Sequence, residues 1–339
     1  MTTVRPFAAA DRSRWDEYVR ATPGSQFGQL IGWKELLEES FAVTPRYWIA
    51  ERDGRVCGIL PLFEKRWPRG TLFSVPGGLL AEDEEVAAAL LVPALDQLRS
   101  GRLDYLELRD QLRAWPGLSS SDEHVTLVLE LCPDPDAQWK AFDAKLRNQI
   151  RKGQRAGFTV RWGHDRVAQF HQVLLENMRD LGTPVRSRRY YQRALEKLGA
   201  AAEILVIEHG GAPAGAMFLV THRDTAYDPW ASSLRRYLAD CPNQVLYWEA
   251  LRWTMEHGLR FFDLGRSQRN SGTFNFKRQW GARVVQLYYQ YALGRRRQIP
   301  TLADQKHSLG PAVRIWKRLP LPLADVLGER VRRLFPEVT

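Results

Sequence analysis

The stretch Ile49-Ala50-Glu51-Arg52-Asp53-Gly54-Arg55-Val56-Cys57-Gly58-Ile59-Leu60-Pro61-Leu62 lies without a gap over Val206-Ile207-Glu208-His209-Gly210-Gly211-Ala212-Pro213-Ala214-Gly215-Ala216-Met217-Phe218-Leu219. A glutamate, the turn glycine, the strand glycine and a leucine coincide, at an offset of about 157 residues. Each copy reads as strand, tight turn, strand, because Asp53-Gly54 and Gly210-Gly211 supply the positive φ a hairpin turn needs. A second match follows at nearly the same offset, Leu103-Asp104-Tyr105-Leu106-Glu107-Leu108 against Leu259-Arg260-Phe261-Phe262-Asp263-Leu264. Both follow a helical pattern that stops at a glycine, Glu84 to Leu98 before Gly101 and Asn243 to His257 before Gly258. Two copies of one α/β unit, each a mixed sheet flanked by helices, are therefore expected. Pro133-Asp134-Pro135-Asp136 is the natural joint, since each proline stops regular structure. The expected division is 1–134, 135–294 and a tail, 295–339.

Length and composition agree with this. At 339 residues the chain is long enough for two domains. The 44% hydrophobic and 26% charged content excludes a disordered, collagen-like or disulfide-stapled chain. Cys57, Cys132 and Cys241 are far apart and odd in number, so neither a disulfide framework nor a paired-cysteine metal site is available. The start, Met1 to Phe7, leads directly into a charged stretch with no apolar signal core, and no run approaches the length of a membrane span. A cytoplasmic location is the expectation.

The net charge of +10 calls for anionic partners. Ten of the basic residues lie between Arg295 and Thr339 against four acidic ones. A second cluster lies at 145–166, where Arg147, Arg151 and Arg155 share one helical face. That face is either a solvated arginine ridge or a phosphate-binding one, with Arg147, Arg151 and Lys152 as the candidates. In the tail, Val313 to Leu323 mixes apolar and basic residues, and Leu327, Val331 and Leu334 continue the stripe. It either folds back on the body or lies on anionic lipid.

Most chemical motifs are missing: no GxxxxGK[ST], no GxGxxG, no HExxH and no GxSxG. His164 and His171 are wrongly spaced for a shared metal site, so no metal is expected. What remains lies in the second copy. By period two, Asp228, Trp230 and Ser232 would share one face of a strand, in which Pro229 marks a bulge or an edge. Asp240 is a candidate cap for the next helix, with Pro242 in its first turn. Asp263 ends an apolar strand, and Gly265, Arg266 and Ser267 follow. Lys277 sits among Phe274, Phe276 and Trp280, either as a lysine snorkelling from the core edge or as a fixed cation facing a developing oxyanion.

FDLGRS (262–267) and GTFNFKRQWGA (272–282), with DPWASS (228–233) and CPNQVLYWEA (241–250) upstream, resemble FemAB-type proteins of the GNAT superfamily, in particular those associated with exosortase (PEP-CTERM) systems and exopolysaccharide loci. FGQLIGW (27–33), LRNQIRKG (146–153) and ENMRDLGTPV (176–185) extend the likeness over most of the chain. The resemblance implies two tandem GNAT-like domains and transfer of an acyl or aminoacyl group to an amine. It matches Lys277 to a lysine that stabilises the transferring acyl group, and Asp263, Gly265, Arg266 and Ser267 to the preceding strand-end motif. Asp228, Trp230 and Tyr247 fall in matching segments; the expected catalytic residues are Lys277, Asp228 as base for the amine, and Asp263, and the expected substrate contacts are Trp230, Ser232, Tyr247, Arg266, Ser267, Phe276 and Trp280. The chain departs from ordinary GNAT enzymes in one respect: Ser233 to Leu246 contains no glycine, so their glycine loop for the CoA pyrophosphate is missing. The expected co-substrate is an aminoacyl-tRNA or an acyl thioester, on CoA or a carrier protein, with no tightly bound cofactor. Peripheral contact of the tail with the inner membrane stays open beside its folding back on the body; DNA is not a partner. Two rivals stay open: a non-catalytic adaptor at the membrane surface and an RNA-binding module.

Overall fold

The computed structural model describes residues 1–66, 70–300 and 312–334. The chain forms two compact units, one of residues 1–125, 286–305 and 333–339, the other of residues 126–285 and 306–332.

In the first unit, β1 (Thr2–Pro6), α1 (Arg12–Ala21), α2 (Ile31–Ser40), β2 (Thr44–Arg52), β3 (Arg55–Lys65), β4 (Thr71–Pro76), β5 (Leu80–Ala81), α3 (Glu84–Arg99) and β6 (Tyr105–Gln111) follow in order. Strand β7 (Ser119–Glu130) begins in this unit and ends in the second. The second unit continues with α4 (Pro135–Ala141), α5 (Ala144–Arg155), β8 (Phe158–Trp162), α6 (Val167–Leu181), α7 (Arg188–Leu198), β9 (Ala202–His209), β10 (Ala212–His222) and β11 (Thr225–Ser233). Then come α8 (Pro242–Glu256), β12 (Phe261–Asp263), β13 (Ser267–Gln268), α9 (Gly272–Arg278), β14 (Arg283–Leu293) and α10 (Leu321–Leu334).

The duplication holds at the level of register. Ala50 pairs with Gly58 and Ile49 with Ile59; in the second copy Ile207 pairs with Gly215 and Val206 with Ala216. Even the irregularity recurs: Glu51 faces Val56 and Glu208 faces Pro213, each beside a register shift. Both turns use positive φ, at Asp53 and Gly54 and at Gly210 and Gly211. Gly58 is required for packing. A Cβ there would come within 2.6 Å of Val86 and 2.8 Å of Leu90, so α3 lies directly on β3. Asp83 caps α3 by accepting from the Val86 N–H.

The strand order in the first unit is β1-β2-β3-β4-β6-β14, and in the second β8-β9-β10-β11-β12-β7. In both, four antiparallel strands meet one parallel pair, β4 with β6 and β11 with β12. The last strand of each unit comes from the other copy. Val128, Leu129 and Glu130 of β7 pair with β12, while Tyr288 to Leu293 of β14 pair with β6. The segment 133–136 lies inside the second unit, where Asp134 caps α4 by accepting from the Ala137 N–H. The architecture is α/β, two tandem GNAT-like domains, each a mixed sheet flanked by helices.

Candidate active site

The site begins with a defect in β11. Phe218 faces Trp230 and Val220 faces Tyr227, so β11 carries one more residue than β10 across this interval. Pro229 lies in that bulge and not on an edge, since β11 runs between β10 and β12. The parallel pairing of β11 with β12 covers only Thr225 to Tyr227, against Phe261 to Asp263. β12 ends there, and Gly265 of the loop that follows still lies against Asp228, whose carbonyl would be 3.2 Å from a Cβ at that position.

The extra residue also reverses the side-chain phase, which corrects the expectation that Asp228, Trp230 and Ser232 share a face. Trp230 packs edge-on against Tyr191 at 5.1 Å and Phe218 at 5.2 Å, and Ser232 accepts a 3.1 Å hydrogen bond from Asn177 of α6. Asp228 meets α8 instead, where its carboxylate accepts a short hydrogen bond from the Tyr247 hydroxyl. The structure therefore places Trp230 and Ser232 in one cluster and Asp228 and Tyr247 in another.

Lys277 completes the second cluster. Ser271 caps α9 by accepting from the Phe274 N–H at 3.1 Å, which orients the short helix. The Lys277 ammonium points inward and is 9% exposed. It donates to the Gly265 carbonyl at 2.9 Å and the Arg266 carbonyl at 3.2 Å. Gly265 has φ +79, and a Cβ at that position would sit 3.4 Å from Asp228 Oδ1 and 3.5 Å from Lys277 Nζ. Carboxylate and ammonium thus border the same backbone position, where φ +79 favours glycine.

Asp263 sets this loop. Its carboxylate accepts from the Gly265 N–H at 2.8 Å and from the Thr126 hydroxyl, and the Leu264 N–H bonds the Leu127 carbonyl at 2.9 Å. Thr126 was not found from sequence, because its partner lies 137 residues away with no local signal. Aromatic rings close the surroundings: Tyr247 to Phe276 at 5.1 Å, Tyr247 to Trp280 at 5.8 Å, and Phe142 to Trp280 at 5.5 Å. The Ser267 hydroxyl and the Trp280 indole N–H are buried with no partner among the described residues. Arg266 is half-buried beside Lys277, whose charged form it disfavours.

Burial dominates the electrostatics. It pushes the Asp228 carboxyl up to about 7, against the opposing influence of Lys277 and the Tyr247 hydrogen bond. Burial lowers the Lys277 ammonium, while Asp228 and Asp263 hold it up. The Tyr247 phenol is raised well above its ordinary value, first by burial and then by the neighbouring carboxylate. A buried carboxyl raised to about 7, beside a buried ammonium whose charged form burial disfavours, can exchange protons with a reacting amine.

Arg147, Arg151 and Lys152 lie on α5, which Asp143 caps by accepting from the Leu146 N–H at 2.6 Å. The helix buries Leu146, Ile150 and Gly153 and leaves Arg151 and Lys152 exposed; Arg151 lies over the Trp139 ring at 5.2 Å. No hydrogen bond or ion pair joins these three residues to Asp228, Tyr247 or Lys277. Gly153 packs against the start of α8, where a Cβ would reach 2.4 Å from Val245 and 2.9 Å from the Cys241 carbonyl. Cys241 and not Asp240 precedes α8, with φ 56, because Asp240 ends a 3-10 turn over Arg235–Asp240.

The bulged β11 and its short parallel pairing with β12 belong to a GNAT-like fold. Residues 140–278 match the family model for the acetyltransferase (GNAT) domain. The chain is similar to the crystal structure of FemX, with TM-score 0.71 and 14% identity over 86% of this chain and 98% of that one. It is also similar to a tandem GNAT protein from the clavulanic acid biosynthesis pathway, solved without AcCoA, with TM-score 0.59 and 16% identity over 89% and 100% of the two chains. A third is the C-terminal domain of a putative lysylphosphatidylglycerol synthetase from Agrobacterium fabrum, with TM-score 0.56 and 14% identity over 90% and 95%. No curated protein sequence matches the chain.

Proposed function

We propose that the chain is an N-acyl or aminoacyl transferase that moves the acyl group of an activated ester or thioester onto an amine, with the chemistry in the second unit. One observation carries this reading: the Asp228 carboxylate and the Lys277 ammonium, both buried, border the same backbone position, 3.4 and 3.5 Å from where a Cβ on Gly265 would stand. Asp228 takes the proton of the attacking amine, helped by a pKa of about 7. The new C–N bond forms as the carbonyl oxygen becomes an oxyanion, which the remaining Lys277 N–H stabilises. Collapse breaks the C–O or C–S bond, and the proton held by Asp228 passes to the leaving group. No covalent enzyme intermediate is required. Asp263 acts as a positioning residue, since its carboxylate holds the loop whose carbonyls hold Lys277. Ser267, Arg266, Phe276 and Trp280 wall the same enclosure. Trp230 and Ser232 belong to the other face of β11, so their contribution is to its shape.

For the donor, three features favour an aminoacyl ester or carrier-bound thioester over CoA held at the start of α8. The loop before that helix has no glycine, a 3-10 turn occupies it, and α5 packs against it at Gly153. The exposed cations Arg151 and Lys152, with Arg147, then serve the phosphates of a carrier or tRNA end. The resemblance to FemAB-like proteins supports an acceptor from cell-envelope or exopolysaccharide metabolism. The test is a product screen by mass spectrometry with aminoacyl-tRNA, acyl carrier protein thioester and acyl-CoA, each against a panel of amino sugars, amino acids and aminolipids. An N-acylated product with one donor class supports the reading. A folded protein that gives none with any donor counts against it.

A further inference from the structure

The last described segment of the second unit lies outside the active site. Residues 312–316 form a helical turn and α10 follows after Pro320. One side of this segment is fastened down. Arg332 donates to the Pro184 carbonyl at 2.8 Å, Arg179 to the Leu319 carbonyl at 2.7 Å, and Gly328 packs so closely on Val185 that a Cβ would meet its carbonyl at 2.8 Å. Ala324 is fully buried on the same side, and Gly182 packs against Val313 and Lys317.

The other side is apolar and uncovered. Leu323, Val326 and Leu327 recur at i, i+3 and i+4 and are 52%, 56% and 37% exposed. Ile315 is 67% exposed, and Leu181, at the end of α6 beside this segment, 53%. These five are half of the large hydrophobic side chains exposed among the described residues. Around them Arg314, Lys317, Arg318 and Arg330 are exposed, and none pairs with a carboxylate among the described residues.

We infer that this face docks the protein on an anionic lipid bilayer, Leu323, Val326, Leu327 and Ile315 entering the headgroup boundary and the four cations lying among lipid phosphates. Charge complementarity selects the partner: exposed cations of the 312–318 segment and Arg330 of α10, together with the exposed aliphatic side chains of α10 and Ile315, suit an interface with a negative headgroup layer over hydrocarbon. Nucleic acid would need the cations and leave the aliphatic groups in water. No described helix is long and apolar enough to cross a membrane, so the contact is peripheral. This inference is independent of the acyl-transfer reading, since none of its residues lies in the active site.

The experiment is flotation of the full chain with phosphatidylglycerol/phosphatidylcholine vesicles and with pure phosphatidylcholine vesicles. Binding about tenfold or more stronger to the anionic vesicles, falling with salt, is expected. The variant Leu323→Ser/Val326→Ser/Leu327→Ser, whose side chains face outward, should keep the wild-type Tm and lose most of the binding. The variant Arg314→Gln/Lys317→Gln/Arg318→Gln/Arg330→Gln should bind both vesicle types equally weakly. Equal binding to neutral and anionic vesicles overturns the inference. So does a serine variant that binds like wild type while the glutamine variant loses binding to RNA, which marks a phosphate site alone. A serine variant that turns a dimer into a monomer, with no vesicle binding by either form, makes the face an interface between copies and also overturns it.

Discussion

Replacing Asp228 by Asn should make the protein more stable at alkaline pH and leave it nearly unchanged in acid. The carboxyl is buried, and its folded value of about 7 stands above the ordinary 3.8. Below pH 4 both folded and unfolded chains hold the proton, so the group contributes nothing to pH dependence. Between pH 4 and 7 the unfolded chain ionises first, the folded state binds the extra proton, and stability falls as pH rises. Above 7 both are ionised and the loss is complete, about 4 kcal/mol from the separation of the two values. Asn keeps the shape and a hydrogen bond for Tyr247 but does not titrate. The stability difference between Asp228→Asn and wild type should therefore move in favour of the variant by about 4 kcal/mol from pH 4 to pH 8. Urea unfolding followed by tryptophan emission at several pH values measures it; Trp248 and Trp280 report from the same unit. A difference that stays constant with pH would refute the reasoning, because it would mean the carboxyl titrates as it does in water.

The transfer rate should rise with pH through an apparent pKa near 7, as Asp228 becomes able to accept a proton, and that inflection should vanish in Asp228→Asn. Tyr247→Phe removes the hydrogen bond that opposes the effect of burial on Asp228, so the inflection should shift to higher pH, read from the pH–rate profile. Gly265→Ala places a Cβ at φ +79 and within 3.5 Å of both Asp228 and Lys277; a loss of about 1–3 kcal/mol in stability is expected, with a larger proportional loss of activity. Thr126→Ala, which removes one hydrogen bond to the Asp263 carboxylate, should lower kcat more than it raises KM, since the Gly265 loop that accepts from Lys277 loosens without a change in any group that binds substrate.

The fold was largely legible because its strongest signals are local. Asp53-Gly54 and Gly210-Gly211 announce hairpins by turn chemistry, and the shared glycines Gly58 and Gly215 sit at equivalent register positions. Helices α3 and α8 end at the glycines expected to stop them. Lys277 stood out by its aromatic neighbours in sequence; its side chain is buried and donates to the Gly265 and Arg266 carbonyls. What escaped depended on contacts across long sequence distances. Pro229 announces an irregularity, but not whether one residue is inserted, and that single residue moves Trp230 and Ser232 to the face opposite Asp228. The role of Asp263 as a clamp needed Thr126, which no spacing rule connects to it. The exchange of β7 and β14 between copies is likewise invisible to periodicity, since their pairing with β12 and β6 is decided by contacts far apart in sequence.

The central claim is that the buried Lys277 ammonium stabilises the oxyanion of acyl transfer. Single-turnover transfer by wild type and Lys277→Ala, under conditions where both are folded by near-ultraviolet circular dichroism, tests it most directly. The account predicts a fall of about a hundredfold or more in the chemical step, with donor binding little changed. A variant that transfers at the wild-type rate would contradict it and leave Lys277 as a strut holding the Gly265 loop.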